Sequence, residues 1–158
     1  MPARLLCLSL GVVALLAAES RGAAAQINLP AGFVESRVTG FLSPVAMAAA
    51  PDGRLFVTEH NGIVAVVKNG VRLGHAFVYV SINEYAERGL VGIQVDPNFA
   101  QNGYVYLYYP AKTPTIHFRL SRFTAAGDVA VPGSEVALFE LPFVGASDWH
   151  NEIGRAHV

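Results

Sequence analysis

Few residues of the sequence could do acid–base chemistry, and the most suggestive group is Trp149-His150-Asn151, close to the end of the 158 residues. An imidazole has an ordinary pKa of about 6.5, so it can accept a proton at neutral pH and pass it on. From these residues alone, a polar turn histidine beside a packed tryptophan is the simpler interpretation. A general base is the alternative.

Other kinds of chemistry find little support. The sequence contains no Gly-x-Ser-x-Gly, P-loop, Gly-x-Gly-x-x-Gly or His-Glu-x-x-His motif. Asp96 and Asp148 belong to no cluster of oxygen ligands, so no metal site is predicted in this chain. The three histidines that precede His150 in the sequence are interpreted as turn or surface residues. They are His60, His75 and His117. A formal net charge of -1 argues against a nucleic-acid partner.

The elements that must position these residues read as strands. Short runs of β-branched and aromatic residues alternate with Gly, Pro, Asp and Asn, and no long stretch repeats with a helical period. The pattern predicts an all-β protein with strands near 33–38, 44–50, 54–59, 63–68, 90–96, 104–109, 116–124 and 135–141. The tyrosines at 104, 106, 108 and 109 have strand spacing and predict a packed sheet face rather than a sugar-stacking platform.

One strand–turn–strand unit occurs twice. "PDGRLFVTE" and "DPNFAQNGYVYLYY" both place an Asp/Pro turn before a β-rich strand, and Asp52 and Asp96 lie 44 residues apart. That period matches one four-stranded propeller blade, although a β-sandwich remains equally compatible with it. A propeller needs at least four blades of about 45 residues, so a propeller interpretation implies that the chain is incomplete.

The N-terminal segment has the order of a secretory signal. A basic start, an apolar run over residues 5–18 and "GAAA" before Gln26 predict a signal peptide at 1–25 and an exported protein. The apolar run is shorter than the roughly 20 residues that a membrane-spanning helix needs, so no membrane span is predicted. Cys7, the only cysteine, lies within this segment, and the mature chain must therefore be stabilised without disulfides.

Three stretches together resemble the opening third of the soluble quinoprotein sugar dehydrogenases, the glucose/sorbosone dehydrogenase family. They are "ERGLVGIQVDPNFAQNGYVYLYY" (87–109), "RLSRFTAAGDVAVPGSEVALFELP" (119–142) and "GASDWHN" (145–151). Residues 29–70 are similar to the family's first blade. The resemblance implies a six-bladed β-propeller, of which this chain covers the first one to two blades.

The resemblance also implies a function and a site. Family members bind pyrroloquinoline quinone (PQQ) with calcium, oxidise the anomeric carbon of aldose sugars and pass the electrons to an acceptor. His150 matches the family's general base, and Asn151 beside it is a candidate cofactor contact. Glu87 stands where the soluble glucose dehydrogenases have a glutamine on the cofactor side of the pocket. An ionised carboxylate there would repel a polyanionic quinone, so Glu87 is either a cofactor contact, or turned away, or paired with Arg88.

The match to the family stops after Asn151. "EIGRAHV" (152–158) replaces the glycines and apolar strand expected there, and its codons can be written as a common sequencing adapter. We therefore expect a propeller segment at 26–151 followed by a non-native tail. A non-catalytic extracellular binding module of the same fold is the alternative to an enzyme.

Overall fold

The computed structural model describes residues 28–142, which belong to two compact units divided between Glu35 and Ser36. Residues 28–35 represent the first unit and contain a turn in which the Phe33 amide donates to the Pro30 carbonyl (3.1 Å). Residues 36–142 represent the second unit and contain every strand of the described range. No helix in this range is long and apolar enough to cross a membrane.

Two antiparallel sheets follow one another along the second unit, each built mainly from strands in chain order. The first sheet pairs its strands in the order β1-β2-β3-β4, and its bounds are Pro44–Ala49, Leu55–Glu59, Ile63–Lys68 and Val71–Tyr79. The second sheet pairs β5-β6-β7-β9, with bounds Gly92–Val95, Tyr104–Ala111, His117–Ala126 and Val136–Pro142. The all-β class with antiparallel sheets is thereby confirmed.

Two short elements complete the second sheet. The pair Val129–Ala130 (β8) forms a hairpin with the end of β7. A single helical turn, Phe99–Asn102 (α1), lies between β5 and β6 and ends at Gly103, whose φ of 65° lets its amide donate back to the Phe99 carbonyl at 2.8 Å. This left-handed cap is a conformation that glycine adopts at low cost.

The core lies between the two sheets, because alternate residues of each strand point to the same side. Phe56 is completely buried at its centre and meets the rings of Phe77 and Phe99 edge-on, at 5.0 and 5.9 Å between centroids. The second sheet contributes the odd-numbered residues of β6, including Val105, Leu107 and Tyr109. Burying a phenylalanine or leucine in this way contributes roughly 1.5–3 kcal/mol.

The tyrosine strand is the packed sheet face that its spacing predicted. Tyr109 is buried in the core. On the opposite face Tyr108 stacks on Phe118 at 5.5 Å, Tyr106 donates to Asp96 at 2.6 Å and Tyr104 lies beneath the Arg122 guanidinium at 4.1 Å. Each ring therefore has a partner within its own sheet or its turn.

Two strand predictions need correction. The predicted strand at 33–38 is absent: this stretch is largely exposed and no described strand pairs with it. A run of residues that favour strands forms no strand without a partner edge. Conversely, β4 was not predicted. Its pairing with β3 shifts register between Ala65↔Ala76 and Val67↔Arg72, and extra residues in one strand disturb the two-residue alternation.

Candidate functional site

The two sheets share a common end, here called the front end, which carries the connections relevant to a site. It comprises the β2–β3 turn (60–62), the β4–β5 connection (80–91), the β6–β7 turn (112–116) and the end of β9 at Pro142. The sheets meet there: the Leu90 amide donates to the His60 carbonyl at 3.3 Å and the Asn83 amide donates to the Pro110 carbonyl at 2.8 Å. The opposite end, the back end, carries the turns 50–54, 69–70 and 96–103 and the segment 127–135.

The connection 80–91 is fixed at both ends and exposed in the middle. Ile82 and Leu90 are buried, and Ile82 bridges to Ala111 of β6. Between them Tyr85 and Arg88 exchange two backbone hydrogen bonds, of 3.3 and 2.9 Å, around a two-residue turn. The connection is therefore a short arm whose tip is a tight turn.

Glu87 is the second residue at that tip and is exposed. Ala86, the first, has φ of 53°, a left-handed conformation that costs a residue with a side chain roughly 1–2 kcal/mol. Beside them Arg88 is buried, and its guanidinium lies 5.0 Å from the ring centroid of Tyr85. The predicted site residue Glu87 thus stands at the front end, on a strained turn.

His60 supports this turn from the neighbouring sheet. Its Nδ1 lies 3.2 Å from Glu84 Oε1 and its Nε2 lies 3.2 Å from the Ala86 carbonyl oxygen. Gly89 lies directly against the ring: a Cβ at position 89 would come within 2.5 Å of His60 Cδ2. Sequence reasoning assigned His60 to a turn or the surface and missed these contacts.

A second glycine contact holds the start of the connection. Gly62 has φ of 93°, and a Cβ there would lie 2.4 Å from the Val80 carbonyl oxygen. The Val80 amide donates to the Gly62 carbonyl at 3.0 Å. Glycine is required at position 62 both by the backbone angle and by the space.

His117 is buried at the start of β7, which corrects its interpretation as a turn or surface residue. Its Nδ1 lies 2.7 Å from the Thr115 carbonyl oxygen, so that nitrogen carries the hydrogen. Glu140 Oε1 lies 3.4 Å from Nε2 and forms an ion pair with Arg119 Nη2 at 2.6 Å. Arg119 lowers the pKa of Glu140 below its ordinary value. His117 is thus a packed histidine of the sheet.

Behind the front end, Glu59 is buried at the end of β2, and each of its carboxylate oxygens accepts a hydrogen bond. Arg72 Nη2 donates to Oε1 at 3.0 Å and the Leu42 amide donates to Oε2 at 3.3 Å. Breaking such a buried pair leaves an uncompensated charge. Glu59 therefore anchors the chain that enters β1 instead of offering a carboxylate to a ligand.

His150 and Asn151, the predicted general base and cofactor contact, lie outside the described residues. Within residues 28–142 no three His, Cys, Asp or Glu side chains could hold a metal ion together. Glu84 and Glu87 are exposed on the front-end arm, and Glu84 pairs with His60 at 3.2 Å. A carboxylate such as that of Glu87 does not complement the carboxylates of PQQ. The described residues do not fit a quinone–calcium site by themselves, and no step through the quinone is derived from them.

Comparison with known proteins identifies the class. The model of the Glucose / Sorbosone dehydrogenase family matches residues 41–148, which is more than half of the sequence. The chain belongs to this family.

Three solved structures have a similar fold. A protein of Thermus thermophilus described as an oxidoreductase (glucose dehydrogenase) is similar over 72% of this chain and 32% of its own, with 26% identity and a TM-score of 0.60. The PQQ-bound aldose sugar dehydrogenase of Streptomyces coelicolor matches 68% and 33% of the two chains, with 23% identity and a TM-score of 0.56. The apo form of the soluble aldose sugar dehydrogenase of Escherichia coli matches 62% and 29%, with 19% identity and a TM-score of 0.53. The chain spans about a third of the length of each.

Proposed function

We propose that residues 26–151 are the N-terminal part of an exported, PQQ-dependent sugar dehydrogenase. The single observation that carries the proposal is the family match over residues 41–148. The topology supports it, because each sheet is built mainly from consecutive strands, as in a propeller blade, whereas sandwiches usually connect their sheets by Greek-key crossings. We expect the complete domain to have six blades, of which this chain supplies the first one to two.

The proposed reaction is the oxidation of an aldose at its anomeric carbon. PQQ, when bound, accepts the hydride, and a structure of the same fold from Streptomyces coelicolor contains it. His150 removes the proton of the anomeric hydroxyl as general base, a role that contributes typically 10²- to 10⁴-fold to the rate. Asn151 is assigned to the cofactor side of the pocket. Calcium ligands, cationic partners of the quinone and the surface for the electron acceptor are assigned to later blades.

The strand directions support a role for the front end. β9 ends there at Pro142, paired with His117, eight residues before His150 in the sequence. The same end carries Glu87. Glu87 therefore lies at the same end of the two sheets from which the chain continues toward His150.

The test uses the full-length protein encoded by the genomic locus. The sequence of that locus also shows whether a glycine codon follows Asn151. The protein is loaded with PQQ and Ca²⁺, and aldose oxidation is followed with an artificial electron acceptor. We expect His150→Ala to lower kcat by about 10²- to 10⁴-fold. His75→Ala is the matched control, since His75 is exposed in β4. Full activity of His150→Ala would contradict the assigned base.

A further prediction concerns the isolated chain. A propeller fragment has unpaired sheet edges and lacks ring closure, so residues 26–158 alone should bind no quinone and show no dehydrogenase activity. Quinone-dependent sugar oxidation by purified 26–158 would overturn this.

The second candidate is a non-catalytic extracellular binding module of the same fold. Glu87 favours it, because a carboxylate where the soluble glucose dehydrogenases have a glutamine disfavours a polyanionic cofactor. A PQQ titration of the folded full-length protein separates the two candidates. Stoichiometric binding of PQQ by the protein supports the enzyme. A cooperative unfolding transition whose midpoint does not change with PQQ supports the binding module.

A further inference from the structure

We infer that His60 is the positioning residue of the front-end arm, 83–89, and that it fixes the place of Glu87 at the site. The catalytic consequence rests on the proposed function, whereas the positioning rests only on the geometry of the described residues. Nothing in the sequence pattern joins His60 to this arm, since 24 to 29 residues separate it from its partners.

The arm needs an outside support because its own backbone bonds are few. Between Asn83 and Leu90 the only backbone bonds within the arm are the two that Tyr85 and Arg88 exchange. The turn they close contains Ala86 in the left-handed region, where a residue with a side chain stays only when its surroundings hold it. A support that binds the Ala86 peptide directly would supply that constraint.

His60 supplies it at three points. Nδ1 binds the Glu84 carboxylate before the turn and Nε2 binds the Ala86 carbonyl within it, each at 3.2 Å. Both partners accept hydrogen bonds, so the ring satisfies both at once when it carries a hydrogen on each nitrogen. After the turn, Gly89 packs against the ring and the Leu90 amide bonds the His60 carbonyl at 3.3 Å.

The position of the ring explains why its loss would affect Glu87 specifically. Glu87 lies one residue after the carbonyl that His60 binds and two residues before the glycine that contacts the ring. The buried ends at Ile82 and Leu90 would remain anchored without His60. Removing the ring should therefore loosen the tip of the arm while the sheets stay intact.

The experiment compares His60→Ala with His75→Ala in the full-length protein. Hydrogen exchange of peptides covering 80–91 is expected to become about tenfold faster in His60→Ala and to stay unchanged in His75→Ala, with peptides of β6 and β7 unchanged in both. In the full-length protein we expect the apparent Kd for PQQ to change about tenfold in His60→Ala and less than twofold in His75→Ala, because Glu87 is assigned to the cofactor side of the pocket.

A double mutant adds a test that general destabilisation would not reproduce. Gly89→Ala should loosen the arm strongly in the parent protein, because its Cβ meets the His60 ring, and less in the His60→Ala background, where only the backbone contact at 2.9 Å remains. If Gly89→Ala accelerated exchange of the arm equally in both backgrounds, the contact between position 89 and the His60 ring would not be the cause.

The outcomes separate this inference from the proposed function. Unchanged exchange over 80–91 in His60→Ala overturns the positioning role, and faster exchange with an unchanged Kd for PQQ overturns its link to the site. If the parent protein neither binds quinone nor oxidises aldoses, the proposed function fails, and the exchange and double-mutant data still decide whether His60 holds the arm.

Discussion

The back end of the two sheets is tied by charge, and the front end by backbone contacts and close packing. At the back end Arg54 donates to Asp52 at 2.6 Å within its own turn and to Asp128 of the other sheet at 3.1 Å. Lys68 reaches the same Asp128 at 3.1 Å. The guanidinium of Arg54 also lies 5.4 Å from the ring centroids of both Phe56 and Phe99, and its side chain is 10% exposed.

The front end has a different construction. Gly62 and Gly89 let the backbone of the connection approach the β2–β3 turn to distances that no side chain permits. His60 is the main polar side chain between them, and it pairs with the exposed Glu84 at 3.2 Å. Side-chain ion pairs tolerate small shifts of the turns that carry them, whereas a glycine contact does not. The position of the front-end connection therefore depends on these two glycine contacts.

The largest expected effect comes from a matched pair of glycines in the first sheet. Gly62→Ala at the front end adds a Cβ 2.4 Å from the Val80 carbonyl oxygen at φ of 93°, so we expect the free energy of unfolding to fall by about 3 kcal/mol. Gly53→Ala at the back end has a similar φ of 86° but open space, and should cost about 1 kcal/mol. Denaturant titration of the full-length variants measures both. Equal losses would show that the two ends are equally tolerant.

The sequence was sufficient for most strands because β-branched and aromatic residues are concentrated in short runs between turn residues. "LFVTE" and "IVAVVK" became β2 and β3 within a residue of their predicted limits. It was insufficient where pairing decides the outcome. "FVESRV" has residues that favour strands but no partner, and "VRLGHAFVY" has the partner but loses the alternation at its register shift.

The site was less predictable for the same reason. Glu87 could be selected by resemblance, but its place on a strained turn depends on contacts with His60, which is remote in sequence. A positive-φ alanine such as Ala86 leaves no signal in composition or periodicity. Gly62 and Gly89 were the available hint, because a glycine can mark a position where another segment approaches closely. A single sequence does not show which segment that is.

The charge tie at the back end is tested by removing its shared cation. Arg54→Met keeps most of the apolar contact with Phe56 and Phe99 but leaves Asp52 and Asp128 without their guanidinium partner. We expect the free energy of unfolding to fall by about 2 kcal/mol, since hydrogen bonds to charged groups contribute roughly 1.5–3 kcal/mol. Lys68→Met is the control: its side chain is 51% exposed, and an exposed ion pair contributes about 0–1 kcal/mol. An equal loss in the two variants would contradict a special role for Arg54.

The smallest expected effect is the acid sensitivity of that tie. Hydrogen bonding from Arg54 holds the pKa of Asp52 below its ordinary value of 3.8, and Lys68, with Arg54 contributing less, does the same for Asp128. Because the folded state then binds fewer protons than the unfolded state, this stabilisation is complete above the ordinary pKa and is lost as the pH falls through the lowered value. The difference in Tm between the parent protein and Arg54→Met should therefore be constant from pH 7 to about pH 5 and should narrow as the pH falls below about 4. The effect should also weaken in high salt, because Asp52 is partly exposed. A Tm difference that stays constant down to about pH 3 would assign the contribution of Arg54 to its packing against Phe56 and Phe99, and the back end would then resemble the front end in depending on shape instead of charge.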